Sequence, residues 1–233
     1  MASKFALASP ASFSSNSLLT EFPSLTGLGW AAFFGDGTVN SLDGTNLAGT
    51  GAFTNVGSGP VLSSNYGRFT CATNGLQTPT PDAVSFTVLS VVRFNTSFAV
   101  IAGVDDLTFN ADVKWTAPGI LCGGYSGING ATLSGTFAGQ WICVAVTKGP
   151  NAAYGTLYNL STGASANSSL VSAGAKASAN WQIGSKQTTP SGYTHPSDIA
   201  FSLGVPLVMS GAQMTQAYNS LKAIMAKRSI TVT

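Results

Sequence analysis

The chain has 233 residues, and only 8% of them are charged, against about 25% in an ordinary soluble domain. Ten Lys and Arg face eight Asp and Glu, a balance of +2, and the basic residues are scattered singly except for Lys227-Arg228, so no footprint for a nucleic acid is present. The length suits one large all-β domain or two small ones, and 27 Gly residues imply many turns.

Residues 1–26 are Ser-rich, and their apolar residues follow no sustained period, which predicts an extended arm ahead of a domain spanning 27–233. The opening MASKFALASPASF holds one Lys and a four-residue apolar patch, too short for the core of a secretion signal, so no export signal is expected. From Trp30 to Pro60 the turn pairs GDG, DG and GTG separate short apolar pieces, as in strand-and-turn structure. In SFTVLSVVRF, Phe86, Val88, Val92 and Phe94 share one face of a strand, while Thr87, Leu89, Val91 and Arg93 share the other. Ser90 interrupts the first set. The apolar window Val84 to Val104 is broken by Arg93, Asn95 and Thr96, so it reads as a hairpin and not as a membrane span.

FAVIAGV, LTFNADVKW and GILCGG continue the series of short strands. In WICVAVT, Trp141, Cys143 and Ala145 alternate with Ile142, Val144 and Val146, so both faces of that strand are apolar. A two-layer sandwich buries one face of each sheet against the other, which leaves open what covers the second face. GTLYNL, WQIG and DIAFSLGVPL follow at spacings that favour an antiparallel sandwich or jelly roll. The last element differs. Ser210 and Gln213 form a capping box, and Met214, Ala217, Tyr218, Leu221, Ile224 and Met225 recur at helical spacing, predicting an amphipathic helix over about 210–228. The closing SITVT returns to strand character. Cys71, Cys122 and Cys143 have no metal-ligand spacing and read as small buried hydrophobes.

The order GDGTVNSLDGTNLAGTGAF, FTVLSVVRF, QWICVAVTKGPNAAYGTLYN, WQIG, DIAFSLGVPLVM and SGAQMTQAYNSLKAI resembles the laminin G-like, concanavalin A-like jelly roll over residues 28–230. The carrying pieces are the Trp that opens a strand ending in V-A-V-T, the L-Y-N beyond it, and a terminal helix opening with Ser. One departure is a longer turn, Leu160 to Gly163, where the family often has Asn-Gly. The resemblance implies an all-β, antiparallel two-sheet sandwich with one C-terminal amphipathic helix. It also implies a choice among carbohydrate- or protein-binding modules, glucanases, and building blocks of phage virions and tail fibres.

The chemistry-bearing residues are few. Glu21 is the single glutamate and sits in the arm, so the two Glu that glucanases of this fold place around an Asp have no counterpart, and of the carboxylate pairs a glycosidase needs only one made of two Asp stays formally open. His195, in GYTHPSD with Asp198, stands in a Pro-containing turn, and no G-x-S-x-G elbow exists. The chain is accordingly expected not to be an enzyme. DDLTFNAD, with Asp105, Asp106, Asn110 and Asp112, reads as a hairpin corner, and neither metal nor cofactor is expected. Sugar binding calls for an aromatic beside hydrogen-bonding loops, for which Tyr125, Tyr193 and Trp115 are the candidates.

These observations lead to the expectation of a non-catalytic structural or interaction subunit, such as a phage virion decoration or tail component assembled in the host cytoplasm. Its partners would be other protein subunits, further copies of itself included. A carbohydrate-binding, lectin-like module that takes a surface glycan is the alternative. The outward apolar rows are expected to be covered in part by the helix and otherwise by the arm or a neighbouring chain.

Overall fold

The computed structural model describes residues 27–35, 47–48, 50–94, 99–105, 110–117, 120–125, 131–135, 137–149, 155–167, 178–187 and 193–233, with the description of 110–117, 120–125 and 155 confined to the backbone. The arm expected over 1–26 lies outside the described residues. Among them are fifteen strands in two antiparallel sheets and one helix, α1 (Gly211–Lys227), which is the architecture expected from sequence.

The first sheet runs β13 (Ala164–Asn167), β12 (Gly155–Asn159), β11 (Trp141–Lys148), β6 (Phe86–Phe94), β15 (Ser197–Val205), β4 (Gly67–Phe69) and β3 (Val61–Leu62). The long strand β15 has β6 along one side, and on the other it is shared by β4 and by β1 (Trp30–Phe33). The second sheet runs β10 (Ala131–Ser134), β9 (Ile120–Tyr125), β8 (Asn110–Ala117), β7 (Ala99–Asp105), β14 (Asn180–Ile183), β5 (Asn74–Pro81) and β2 (Thr54–Gly57).

Two apolar clusters follow from the alternation in β6 and β11. Phe86, Val88, Val92 and Phe94 of β6 and Ile142, Val144 and Val146 of β11 face the second sheet and pack with Ile101, Trp181 and Ile183 in the inter-sheet core. Leu89 and Val91, with Trp141, Cys143 and Ala145, face the opposite way and pack under Met214, Ala217, Leu221, Ile224 and Met225 of α1. Burying one such large apolar side chain stabilises by roughly 1.5–3 kcal/mol, so this second core is a major part of the fold. Burial also raises the Cys143 thiol far above its ordinary value, in keeping with a buried hydrophobe.

The cover for WICVAVT is therefore the chain itself. β6 and β11 are neighbours in one sheet, paired from Trp141↔Arg93 to Lys148↔Phe86, so a single helix stripe shields both. The expectation from sequence divided this cover among the helix, the arm and a neighbouring chain; pairing between distant segments puts both strands under the helix. The C-terminal residues complete the cover: Ile230 and Val232 join the outer cluster, and Val232 bridges Trp141 in parallel.

The helix is set in place at both ends. Ser210 is the N-cap, its side chain accepting from the Gln213 backbone N–H, and Gln213 closes the reciprocal half of the capping box. At the other end the buried Arg228 donates from Nη2 to the Phe34 carbonyl (2.6 Å) and from Nη1 to the Ala200 carbonyl (3.3 Å), with its guanidinium over the Phe33 ring. Burial pulls its pKa down to about 10. Ser90, which interrupted the apolar face of β6, has a local reason. The Trp30 indole N–H, fully buried, donates to Ser202 Oγ (3.1 Å), and Ser90 stands beside Ser202 at 3.3 Å. The Trp30 ring lies so close over Gly204 that a Cβ there would meet it at 2.2 Å.

Candidate functional site

In a chain so poor in charge, the placement of each ionic side chain is informative. The described acidic side chains are Asp82, Asp105 and Asp198, and each faces a cation. Asp82 and Lys148 form an ion pair with side-chain exposures of 0% and 4%. Trp181 Nε1 donates to the other oxygen of Asp82 (3.0 Å), and the Trp181 ring stacks on Phe86. Burial pulls the Lys148 pKa below the ordinary lysine value, and the Asp82 charge only partly opposes this. Asp105 and Lys186 form a second ion pair at 3.7 Å, also buried. These two pairs are closed to solvent.

The third cluster is built differently. Strand register sets Asp198 of β15 between Arg93 of β6 and Arg68 of β4, and extends the row to Trp141 of β11 and Val61 of β3. Cross-strand neighbours at this spacing meet directly, so one carboxylate is held between two guanidinium groups. Arg68 donates from Nε to Oδ1 (2.8 Å) and from Nη2 to Oδ2 (3.3 Å), and Arg93 donates from Nε (3.1 Å) and Nη2 (2.7 Å) to Oδ2. The Asp198 side chain is fully buried, whereas Arg68 is 46% and Arg93 26% exposed. The hydrogen bond and charge of Asp198 raise the Arg68 pKa above its ordinary value.

Aromatic rings frame the cluster. The Arg93 guanidinium lies 5.1 Å from the Tyr66 ring centroid and 4.8 Å from that of Trp141, and the two rings are 5.6 Å apart. Tyr66, half-buried, stands in the turn between β3 and β4, where the adjacent Asn65 donates from Nδ2 to the Arg228 carbonyl (2.9 Å). The turn is thereby tied to the end of α1. A half-exposed aromatic, two partly exposed guanidinium groups and a buried carboxylate that orients them form a candidate binding surface.

The residues singled out from sequence are distributed elsewhere. Trp115 lies in β8, in register with Ala99 and Leu121, and Tyr125 ends β9 opposite Ala111, so four residues of strand, about 13 Å, separate their levels in the sheet. Their side chains lie outside the described residues. Tyr193 is half-buried and precedes β15 in the chain by four residues. His195 is exposed, and the Asp198 carboxylate with which sequence spacing paired it is held by Arg68 and Arg93. Of DDLTFNAD, Asp105 is engaged with Lys186, and the side chains of Asp106, Asn110 and Asp112 lie outside the described residues. Sequence reasoning missed Tyr66, Arg68 and Arg93 as a site. The available signal was Arg93, a charge on the otherwise apolar outward half of β6.

No family model and no curated protein match the chain. Solved structures do match in fold. Trypanosoma rangeli sialidase in complex with sialic acid aligns with a TM-score of 0.59 and 12% identity over 85% of this chain and 33% of that one. The binding domain of botulinum neurotoxin serotype D aligns with a TM-score of 0.59 and 10% identity over 84% of this chain and 51% of that one. The same scores and coverage hold for botulinum neurotoxin type C, whose cell entry is dependent upon interaction with two ganglioside molecules. The chain thus spans about a third of the sialidase and about half of the toxin chains. At these identities the likeness is one of fold.

The likeness to a sialidase overturns the expectation that the chain is not an enzyme. That expectation rested on the lack of a Glu pair and of a His-centred triad, which tests only the chemistries having those patterns. A sandwich of this build occurs within an enzyme chain.

Proposed function

We propose that this chain is a carbohydrate-binding β-sandwich module whose contact surface is the Tyr66, Arg68 and Arg93 cluster. The observation that carries the reading is the cross-strand row of β11, β6, β15 and β4, in which a buried Asp198 holds two partly exposed guanidinium groups beside a half-exposed tyrosine. Sugars are recognised by an aromatic surface against the C–H face of the ring and by fixed donors to its oxygens, and both are present here. The fold shared with toxin binding domains, one of them from a toxin that interacts with gangliosides, supports the same reading.

A glycan array probed with the full chain tests it. Binding to at least one glycan class, weakened about tenfold or more by Tyr66→Ala, is the expected result, a change equivalent to about 1.4 kcal/mol. Absence of binding to every glycan overturns the reading, and binding that Tyr66→Ala leaves intact overturns the placement of the site.

The second reading, a virion decoration or tail component built on this domain, rests on the thin charge of the chain, 8% of its residues. Light scattering separates it from an isolated module: self-association of the full chain supports the assembly reading, and a stable monomer removes it.

A further inference from the structure

We infer that the Arg68–Asp198–Arg93 row is a subsite for the carboxylate of an acidic sugar. The inference rests on the glycan reading and deepens it by naming the ligand chemistry.

The first ground is charge. Asp82–Lys148 and Asp105–Lys186 each pair a carboxylate with an ammonium, and all four side chains are at most 7% exposed. The Asp198 cluster sets two positive charges against one negative, leaving one positive charge at a place where Arg68 is 46% exposed. The second ground is donor capacity. A guanidinium carries five N–H donors, and Asp198 engages only Nε and Nη2 of each arginine, which leaves the Nη1 edges to another acceptor. Two planar guanidinium groups can grip a carboxylate through paired hydrogen bonds, a geometry a lysine does not reproduce.

The third ground is preorganisation. Arg93 lies against the rings of both Tyr66 and Trp141, and Arg68 is held at two points by a carboxylate that is itself fully buried. Arginine otherwise loses much rotamer freedom when it binds a ligand, and here part of that ordering precedes the ligand. The scale of the charge sets the class of ligand. One surplus positive charge on a chain of net +2 matches a single carboxylate on a sugar, not the phosphate run of a nucleic acid.

Calorimetric titration of the full chain with sialyllactose and with lactose, its neutral counterpart, tests the assignment. The expected result is saturable binding of sialyllactose and binding of lactose weaker by about tenfold or more, the step that 1.4 kcal/mol represents. Arg68→Ala is expected to bring the two ligands within about twofold of each other, with Arg68→Lys recovering only part of the difference. Because the wild-type comparison of the two sugars needs no variant, the test holds even if a substitution impairs folding. Equal affinity for sialyllactose and lactose, or preference for lactose, overturns the acidic subsite while the glycan reading stands. Failure to bind either sugar, together with an empty glycan array, overturns both.

Discussion

Asp82 and Asp198 are equally buried, and their partners make them opposites. The side chain of each is 0% exposed. Asp82 meets Lys148 and Trp181, themselves almost wholly inside, at the end of the inter-sheet core where Trp30, Phe86 and Trp181 pack together. Asp198 meets two arginines whose far sides reach water. The burial of a carboxylate therefore says little about its role. What matters is whether its partners close the site or present it. A closed ion pair keeps its charges inside the fold, whereas an open cluster of two arginines on one carboxylate holds fixed donors toward whatever approaches.

The largest effect that sharpens this contrast is expected for Asp82→Ala. Removing one partner leaves the Lys148 ammonium and the Trp181 N–H buried without that acceptor, a change that costs about 3–5 kcal/mol in comparable buried pairs. Urea denaturation followed by Trp fluorescence measures it, and a loss under 1 kcal/mol would mean that the pair is not closed. Asp198→Ala is expected to cost less, about 1–3 kcal/mol, because Arg68 and Arg93 can turn toward solvent. The same variant should lose sialyllactose binding, since nothing would then orient the two guanidinium groups. A stability loss as large as that of Asp82→Ala would erase the contrast.

For Arg68→Ala the stability change is expected to stay within about 1 kcal/mol, as for a partly exposed ion pair, while the acidic-sugar preference disappears. Thermal melting beside calorimetry separates the two effects. The smallest expected effect is on pH dependence. Burial lowers the Lys148 pKa in the fold below its value in the unfolded chain, so between those two values the unfolded chain binds more protons. Stability contributed through this group thus rises as pH climbs through that window. Denaturation of wild type and Lys148→Met, compared from neutral pH to pH ~10, should show a steeper rise in wild type.

Much of the fold was legible because the signals that define it are local. The two-residue alternation of β6 and β11, the Ser210–Gln213 capping box and the apolar stripe of α1 are all read within a dozen residues, and all appear as expected. What could not be read is pairing across distance. That β6 and β11 are neighbours in one sheet, and so share one helix as cover, depends on contacts between segments separated by some fifty residues of chain. The site failed to show for the same reason. Asp198 looked like a partner for His195, three residues away, but its true partners lie 105 and 130 residues back in the sequence. Arg93 was visible only as a break in an apolar run, and its meaning came with the register that set it beside Asp198.

The most direct measurement is a crystal structure of the full chain grown with sialyllactose. The sugar carboxylate should lie within hydrogen-bonding distance, about 2.7–3.0 Å, of the Arg68 or Arg93 Nη1 groups, with Tyr66 against the sugar. Sugar density at another surface, with the Arg68–Asp198–Arg93 row facing only solvent, would contradict the assignment.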